Sequence, residues 1–321
     1  MLECSELVQR LARAVEKNRA DALLLSGGLD SAVIASVLKP QYCVTAALGK
    51  DAPDLAYARQ VAQKYCKVHA EAVFSPEKMV ELVDTVVQVF KTFDPIEVRN
   101  SCVALAAMQH AKEDGHRAVV TGDGGDELFA GYNYLSRYYW NPERLAKELA
   151  RLWKVMHFSS KVLGERIGVE VKAPFLDSEF SKYAKSIPVE EKVGERDGER
   201  WGKFALRKCF ERDIGALAWR KKMAQEQGAG TDLFYKYVEE RIDDSTYSNR
   251  AKTALLEGVR LRSKEHLHYY AIFRSYNPPP REEAKERGCS LSCPECSGCF
   301  EWVGKFCRTC GAFPVVPTAL F

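Results

Sequence analysis

The chain has 321 residues, of which 46% are hydrophobic and 28% charged, so it can bury one large core or two ordinary ones. Its formal net charge of +3 neither demands nor excludes a polyanionic partner, and it has no basic tail. Residues 1–20 predict a charged amphipathic helix rather than a signal or transit peptide, and no apolar run approaches the length of a membrane span. We therefore expect a globular, cytoplasmic protein.

Short apolar runs alternate with helical patterns between Asp21 and Gly122, which predicts an α/β fold with a doubly wound parallel sheet. Strands are predicted near DALLL, YCVTAAL, VHAEAVF and RAVVTG, with helices in the intervals. Beyond Tyr132 the strand signals fade, and a mainly helical chain with loops at EVKAPFLDSE and RKKMAQEQGAGT is expected to about Ser275. A proline-rich, charged stretch then predicts a linker. The predicted domains are 1–277 and 289–321, with the linker at 278–288.

The first strand runs into the turn SGGLDS, whose residue types suit phosphate. Gly27 and Gly28 let backbone N–H groups approach an oxyanion, and the following helix adds the positive end of its dipole. Ser26 and Ser31 can donate hydrogen bonds to phosphate, whereas Asp30 would repel it unless a divalent cation lay between them. The turn predicts a nucleotide site with magnesium, and a plain strand–turn–helix is the alternative. The Walker signature G-x-x-x-x-G-K-[ST] is absent from the chain.

A second turn, TGDGGDELFAGY, places Asp123, Asp126 and Glu127 among four glycines directly after a strand. Ligands of such sheets bind beyond the carboxyl ends of the strands, so this turn and the first one are expected to face each other. Its carboxylates and Asp30 could then share magnesium ions that bridge the phosphates of ATP. The alternative is a solvated turn that caps the next helix.

Five segments together resemble a known family. SGGLDS, VRNSCVALAAMQ, TGDGGDELFAGY, APFLDSEFSKYAKSIP and SKEHLHYYAIFRSYNP occur in the order and approximate spacing of the synthetase domain of asparagine synthetases, over about residues 3–277. Around KKMAQEQGAGT the chain also resembles the related β-lactam-forming synthetases. The resemblance implies an ATP pyrophosphatase-type fold and an amide-forming ligase. In such an enzyme a carboxylate attacks the α-phosphate of ATP, pyrophosphate leaves, and an amine converts the acyl-adenylate into an amide with release of AMP.

The resemblance also implies roles for individual residues. Lys222 aligns with the family's catalytic lysine, and Asp123 stands where a carboxylate helps to deprotonate the attacking amine. A positive charge aimed at phosphate suits this chemistry, although a basic helix end is the alternative for Lys222. Arg99 and Asn100 match the substrate-side segment, with helix capping and a salt bridge as their alternative. The implied ligands are Leu25, Ser26, Gly27, Gly28, Asp30, Ser31 and Gly122 for the nucleotide, and Asp30 and Asp126 for magnesium.

The source of nitrogen follows from a departure from the family. Glutamine-dependent members begin with a cysteine nucleophile and carry a glutaminase domain ahead of the synthetase. Here Leu2 follows Met1 and the first turn begins at Ser26, which leaves no room for that domain in this sequence. We expect free ammonia, an amine within the substrate, or ammonia passed from a separate protein.

Six of the eleven cysteines crowd into 22 residues near the end. Two C-x2-C pairs separated by ten residues, the spacing of a zinc ribbon, are formed by Cys293, Cys296, Cys307 and Cys310. Cys289 and Cys299 add spacings that also resemble iron–sulfur proteins, so a cluster is the alternative. The ribbon is expected to be structural or to dock a partner such as an ammonia donor or carrier protein. The remaining cysteines are predicted to be small core residues, namely Cys4, Cys43, Cys66, Cys102 and Cys209.

A tRNA-modifying enzyme, which adenylates a nucleobase and then inserts sulfur or an amine, is the alternative function. Other pyrophosphatase-loop proteins with cysteine-rich modules act in this way. From Arg281 to Phe321, however, five Lys and Arg balance five Asp and Glu, so the tail lacks the basic footprint of phosphate binding. Nucleic acid is therefore not the favoured partner at this stage.

Overall fold

The computed structural model describes residues 2–300 and 304–319. The chain forms two compact units, the first of residues 1–73 and 106–229 and the second of residues 74–105 and 230–321. The strands are β1 (Ala22–Leu24), β2 (Tyr42–Leu48), β3 (Val68–Phe74), β4 (Ala118–Val120), β5 (Glu170–Lys172), β6 (Val193–Arg196), β7 (Glu199–Gly202), β8 (Leu291–Ser292) and β9 (Thr318–Ala319).

The helices alternate with these strands in the first half of the chain and predominate in the second. They are α1 (Cys4–Lys17), α2 (Leu29–Leu38), α3 (Pro53–Tyr65), α4 (Pro76–Phe90), α5 (Pro95–Glu113), α6 (Gly125–Phe129), α7 (Pro142–Val155), α8 (Ser159–Ile167), α9 (Ser178–Ser186), α10 (Phe204–Ile214), α11 (Gln225–Gly228), α12 (Phe234–Glu239), α13 (Asp244–Leu256), α14 (Lys264–Tyr276) and α15 (Pro280–Glu286).

A five-stranded sheet of order β3-β2-β1-β4-β5 forms the centre of the first unit. Strand β1 pairs in parallel with β2 on one side and β4 on the other, and β4 pairs in parallel with β5. The four predicted strands of the first half are therefore confirmed, as is the α/β class. The strand order reverses between β1 and β4, which is the switch point where such sheets bind ligands.

Apolar helix faces cover this sheet. Helix α1 buries Leu7, Leu11, Ala14 and Val15, the spacing of one helical face. Helix α2 is apolar on almost every side and is buried along most of its length. One hydrophobic cluster joins both helices to β1 and to α10. The core thus holds the start of α2, which follows the SGGLDS turn, in a fixed position.

Three strands lie where the sequence analysis expected loops and helices. Strand β5 falls in the predicted loop EVKAPFLDSE, and its exposed Glu170 and half-buried Lys172 give it no apolar run. Strands β6 and β7 form an antiparallel hairpin in the region predicted to be helical. Asp197 and Gly198 connect them with positive φ values of 54° and 75°. An Asp-Gly pair of this kind is a hairpin turn signal, so the sequence did carry a local indication of these two strands.

The second unit packs helices around an aromatic core. Phe93 is fully buried, with ring centroids 5.0 Å from Tyr270 and 5.2 Å from Phe273. The stretch predicted as a linker contains α15, which buries Pro280 and Ala284. The cysteine-rich tail follows in the same unit, where β8 and β9 form a small antiparallel sheet.

Four of the five scattered cysteines form disulfides, which corrects their prediction as separate core residues. Cys4 pairs with Cys209 across 205 residues, and Cys43 pairs with Cys66. Cys102 remains a free, buried thiol as expected. Disulfides persist in oxidising compartments and in some thermophile cells, so a cytoplasmic location stays a prediction. Among the described residues, no helix has the length and apolar character needed to cross a membrane.

Candidate active site

The turns after β1 and β4 meet at the switch point of the sheet, as predicted. A Cβ atom on Gly122 would lie 2.9 Å from the Cβ of Asp30, and one on Gly125 would lie 2.5 Å from an Asp30 carboxylate oxygen. Contacts this close leave no room for a side chain at Gly125. The second turn therefore needs glycine there because the aspartate of the first turn occupies that space.

Serine hydroxyls organise the turn after β1. The Ser26 and Ser31 oxygens lie 3.1 Å apart, and Ser31 Oγ donates to the Gly28 carbonyl oxygen at 3.1 Å. Gly27 has a φ of 68°, and a Cβ there would lie 2.7 Å from the Asp54 carbonyl oxygen. Helix α2 begins directly after Gly28, so its positive end points toward this turn. The geometry is that of an anion-binding loop at a helix N-terminus.

Two aspartates and two lysines form an ion-paired group beside this loop. Lys203 Nζ lies 2.7 Å from Asp126 Oδ1 and also donates to Asp30 Oδ2. Lys222 Nζ donates to the second Asp126 oxygen at 2.6 Å. The Lys203 side chain is only 3% exposed, and those of Asp30 and Asp126 are 17% and 20% exposed. Two positive charges thus balance two negative ones in a largely buried site.

This pairing determines the protonation of the group. Burial alone would raise the pKa of Asp126, but Lys203 and Lys222 hold that pKa below its ordinary value. Burial also raises the pKa of Asp30, against the attraction of Lys203. For Lys203 burial acts to lower the pKa, yet the two carboxylates outweigh it and keep the pKa above the ordinary value. The ammonium of Lys203 is therefore charged at neutral pH.

The two predicted magnesium ligands have suitable chemistry for that ion. Asp30 and Asp126 converge on one ammonium group, so their oxygens border a common space the size of a small cation. Asp30 Oδ1 is buried and has no hydrogen-bond partner among the described residues. Magnesium binds proteins through one or two carboxylates together with substrate phosphates. The donor set fits magnesium once the lysine ammonium moves aside.

Asp123 occupies a different environment from the paired aspartates. It accepts a hydrogen bond from the buried hydroxyl of Ser160, at the start of α8. Burial raises the pKa of Asp123, while the Ser160 hydrogen bond opposes the shift. A carboxyl group with a raised pKa exchanges protons more readily near neutral pH than an ordinary aspartate.

Arg220 fixes the segment that carries Lys222. Its guanidinium donates to the Gly27 carbonyl oxygen at 2.6 Å and forms an ion pair with Asp54. It also lies 3.7 Å above the ring centroid of Tyr57. These contacts hold the WRKK segment against the SGGLDS turn, so Lys222 is placed by tertiary contacts rather than by the end of a helix.

Lys203, Arg220 and Ser160 were missed by the sequence analysis. For Lys203 a local signal existed, because it caps the N-terminus of α10 with a positive φ of 55°. A cation is unfavourable at the positive end of a helix dipole, and a left-handed lysine is rare. A residue that opposes the local preference of its backbone position in this way is expected at functional sites. Arg220 and Ser160 carried no comparable signal.

The candidate residues Arg99 and Asn100 lie in the second unit. Arg99 Nε is 3.3 Å from Glu265 and donates to the Pro95 carbonyl oxygen at 3.1 Å. This is the salt-bridge alternative of the sequence analysis. Their role toward a substrate stays a prediction.

The four cysteines of the predicted ribbon converge. Their sulfur atoms all lie within 4.8 Å of one another, and the four residues are buried. The separations are 3.9 Å for Cys293 and Cys310 and 3.7 Å for Cys296 and Cys307. A tetrahedral zinc with ordinary Zn–S bonds has sulfur atoms about 3.8 Å apart. Cys289 and Cys299 form a disulfide and so take no part in this group.

Hydrogen bonds join this cysteine group to the rest of the second unit. The Phe93 N–H donates to the Thr309 carbonyl oxygen at 2.8 Å, and Thr92 Oγ1 donates to the Arg308 carbonyl oxygen at 2.7 Å. The Arg262 guanidinium donates to the Cys310 carbonyl oxygen. The ribbon is therefore part of the packing of its unit, beside the buried Phe93.

Comparison with known proteins identifies the family. The family model for asparagine synthase matches residues 5–167 and 163–277. The glutamine-hydrolysing asparagine synthetases of Homo sapiens and Pongo abelii are each 30% identical over 284 residues, and that of Mesocricetus auratus is 32% identical over 285. Each alignment covers 81% of this chain and 50% of the relative, so the chain spans about half the length of the curated relatives it matches. With its phosphate-type loop and paired aspartates at the switch point, the chain belongs to the asparagine synthase family.

Proposed function

We propose that this protein is an ATP-dependent carbon–nitrogen ligase that adenylates a carboxylate and transfers ammonia or an amine to it, with AMP and pyrophosphate as products. The observation that carries the proposal is the meeting of the phosphate-type loop with Asp30, Asp126, Lys203 and Lys222 at one sheet edge. Membership of the asparagine synthase family supports the same chemistry.

The loop after β1 binds the phosphates in this proposal. Backbone N–H groups of Gly27 and Gly28 and the hydroxyls of Ser26 and Ser31 face the pyrophosphate portion of ATP, with the α2 dipole behind them. Leu25 and Gly122 flank the nucleotide at the ends of the two central strands. Asp30 and Asp126 would hold magnesium, which would neutralise phosphate charge and polarise the reacting phosphorus.

The lysines stabilise the charge that develops on ATP. Lys222 has a side chain 28% exposed, so it can leave Asp126 and reach a phosphate oxygen. Lys203 is almost fully buried between the two aspartates and keeps a second positive charge in the site, although its ammonium must leave the space between their oxygens when magnesium binds. Donors placed before the reaction in a site of low dielectric stabilise a transition state strongly. The carboxylate oxygen of the substrate then attacks the α-phosphorus, and pyrophosphate leaves.

Asp123 acts in the second half-reaction. The amine attacks the acyl carbon of the adenylate, and its surplus proton moves to Asp123, whose raised pKa suits it to accept one. Ser160 holds the carboxylate in a single orientation through its hydrogen bond. The acyl–oxygen bond then breaks, AMP leaves, and the amide remains.

The nitrogen donor in this proposal is free ammonia or an amine within the substrate. Ammonia delivered by a separate protein is compatible with the same site. Pyrophosphate release with ammonium as the sole nitrogen source supports direct use of free ammonia, whereas no release with ammonium points to delivery by a partner.

The test is pyrophosphate release from ATP and magnesium, screened against aspartate, other amino acids, small carboxylates and bulk tRNA, with ammonium present. Release that depends on one carboxylate supports the proposal. Asp30→Asn and Asp126→Asn should each abolish release, whereas Asp51→Asn, an exposed aspartate of the same unit, should retain it. Turnover of either site variant near the parental rate, or no carboxylate-dependent release at all, would contradict the assignment.

We also propose that the ribbon binds one zinc ion through Cys293, Cys296, Cys307 and Cys310. Their mutual distances and burial support a closed structural site. Metal analysis of anaerobically purified protein tests it, with one zinc per chain as the expected result. Iron with acid-labile sulfide and no zinc would overturn the assignment. A Cys102→Ser variant, which changes a buried thiol outside the group, is the matched control.

A further inference from the structure

A surface of aromatic rings and guanidinium groups lies on the first unit next to the candidate active site. We define this aromatic–arginine surface by Tyr134, Arg137, Tyr138, Tyr139, Trp140, Arg144 and Arg200. Trp140 is 71% exposed and packs edge-on against Tyr139, with ring centroids 4.6 Å apart. The Arg200 guanidinium, on β7, lies 5.3 Å from the Trp140 ring centroid and 5.6 Å from that of Tyr139.

Two further cation–π pairs extend this surface. The guanidinium of Arg137 lies 5.9 Å from the Tyr134 ring centroid, and that of Arg144 lies 5.7 Å from the ring of Tyr138. Tyr134, Tyr138 and Tyr139 are half-buried against a hydrophobic cluster, so this surface presents to solvent the exposed ring of Trp140 and the guanidinium groups beside the tyrosine rings. The backbone supports the arrangement, because residues 133–138 form a 3-10 turn and α7 begins shortly after it, at Pro142.

Positive charge is concentrated here. The segment Asn133–Lys161 contains six Lys and Arg and two Glu, so its net charge of +4 exceeds the +3 of the whole chain. Glu148 is already paired with Arg144 at 3.1 Å and Arg151 at 3.0 Å. In the described part of the chain, no carboxylate lies within ion-pair distance of Arg137, Lys147, Lys154 or Arg200. The surface thus offers cations that the protein itself does not neutralise.

The aromatic–arginine surface is continuous with the candidate active site. Tyr132 donates to Glu127 of the second turn, and its ring centroid lies 5.7 Å from Lys222 Nζ. The rings of Tyr132 and Tyr134 are stacked with centroids 6.2 Å apart, and Arg137 lies over the latter. A ligand that follows these rings outward from Lys222 reaches the exposed cations.

We propose that this surface binds a single-stranded nucleic acid, and that the carboxylate to be amidated is carried on that strand. Stacking faces interleaved with cations are how proteins hold single strands, because every base has a π face and every nucleotide a phosphate. A lipid surface fits poorly, since Trp140 is the one exposed large hydrophobic side chain among residues 133–161. The balanced charge of residues 281–321 was the argument against nucleic acid, but those residues lie in a different part of the chain.

Binding and chemistry are separate parts of this inference. The chemistry rests on the proposed function: the strand's carboxylate and ammonia become an amide, while ATP becomes AMP and pyrophosphate, with no other reactant. Binding to the surface needs neither ATP nor ammonia. It can therefore be measured alone, and its outcome does not depend on whether pyrophosphate is released.

The test measures the fluorescence anisotropy of a labelled single-stranded RNA of about 12 nucleotides and mixed sequence with the full chain at several salt concentrations. Trp140→Ala should weaken binding about tenfold, as expected for the loss of one stacked base. Arg137→Ala with Arg200→Ala should weaken it further at low salt and reduce the salt slope by about 1.4, the value for two phosphate contacts on a single strand.

The control variant is Lys208→Ala with Arg212→Ala, which removes two exposed cations from α10 of the same unit. It should leave the affinity within about twofold, because long-range charge effects are small at moderate salt. The proposal would be overturned if the parent bound RNA weakly and every variant bound it equally weakly. It would also be overturned if the control variant lost as much affinity as the surface variants. Variant-sensitive binding to anionic vesicles or polyglutamate as tight as to RNA would overturn it as well, and would assign the surface to a membrane or an acidic protein.

Discussion

Replacement of Lys203 by methionine tests the charge balance of the candidate site. Methionine keeps most of the side-chain volume but removes the ammonium that lies between Asp30 and Asp126. Because the Lys203 side chain is only 3% exposed, water cannot fully replace the contacts that the two carboxylates lose. Removing one partner of a buried ion pair costs about 3–5 kcal/mol, because the remaining charge stays buried and uncompensated. Lys222 still contacts Asp126, so we expect about 3 kcal/mol.

Urea unfolding followed by circular dichroism, with and without magnesium, measures this loss. Magnesium should stabilise Lys203→Met more than the parent, because the cation can then occupy the space between the two carboxylates. Saturation at about a hundred times the dissociation constant would restore about 2.7 kcal/mol. The double variant Asp30→Asn with Lys203→Met should be more stable than Lys203→Met alone, since one uncompensated charge is gone.

A Lys203→Met variant as stable as the parent would refute the reasoning. The same conclusion would follow if magnesium stabilised parent and variant equally, because the ammonium and the cation would then not compete for one place. Lys203→Arg is the matched control. It keeps the charge and should lose less stability than the methionine variant, although its larger guanidinium does not fit the space of an ammonium.

Three further predictions concern Lys222, Lys192 and the cysteine group. Lys222→Ala should lower turnover by about 100-fold, or about 3 kcal/mol, with little change in ATP affinity. Lys222→Arg should restore little of the lost turnover, because a guanidinium does not fit the place of an ammonium. If the alanine variant instead lost ATP affinity and kept its turnover, Lys222 would bind ATP in the ground state without stabilising the transition state. Burial lowers the pKa of Lys192 to about 8, so Lys192→Met should stabilise the protein by about 3 kcal/mol at pH 7. Because the unfolded lysine keeps its proton until about pH 10.5, that gain should shrink as the pH rises from 8 to 10.5, and a gain independent of pH would contradict it. Removal of the proposed zinc from the cysteine group, or truncation after Pro280, should expose Phe93 and lower the unfolding temperature of the second unit, whereas a ribbon that only docks partners would leave it unchanged.

The parts of the fold that depend on local patterns could be predicted from the sequence. Apolar runs such as YCVTAAL are bounded by helical patterns, so β2 and its neighbours could be assigned before any tertiary contact was known. The meeting of the two turns followed from a general property of parallel sheets, namely that the carboxyl ends of neighbouring strands share one edge. The two turns could be placed together for that reason, whereas the choice of Asp126 among the carboxylates of the second turn came from the family resemblance.

The rest depends on contacts between distant parts of the chain. Strand β5 has one apolar residue between Glu170 and Lys172, so its pairing with β4 defines it as a strand and its composition does not. The disulfide of Cys4 and Cys209 joins residues 205 positions apart, and no local pattern shows such a pairing. Arg220 donates to the Gly27 carbonyl oxygen, but the sequence around Arg220 is also typical of a basic helix end and does not indicate this distant contact.

The pairing of both aspartates with lysines changes what binding of ATP involves. Asp30, Asp126, Lys203 and Lys222 together carry no net charge, so the site is neutral before the nucleotide arrives. A triphosphate without magnesium would draw the ammonium of Lys222 away from Asp126 and leave several negative charges together in a largely buried space, which is strongly unfavourable. With magnesium bound, Asp30 and Asp126 would hold a cation in place of the ammonium groups, and Lys222 would be free to contact the phosphates. In the proposed ligase, therefore, Asp126 keeps Lys222 in place before binding and would release it only when metal and nucleotide are both present.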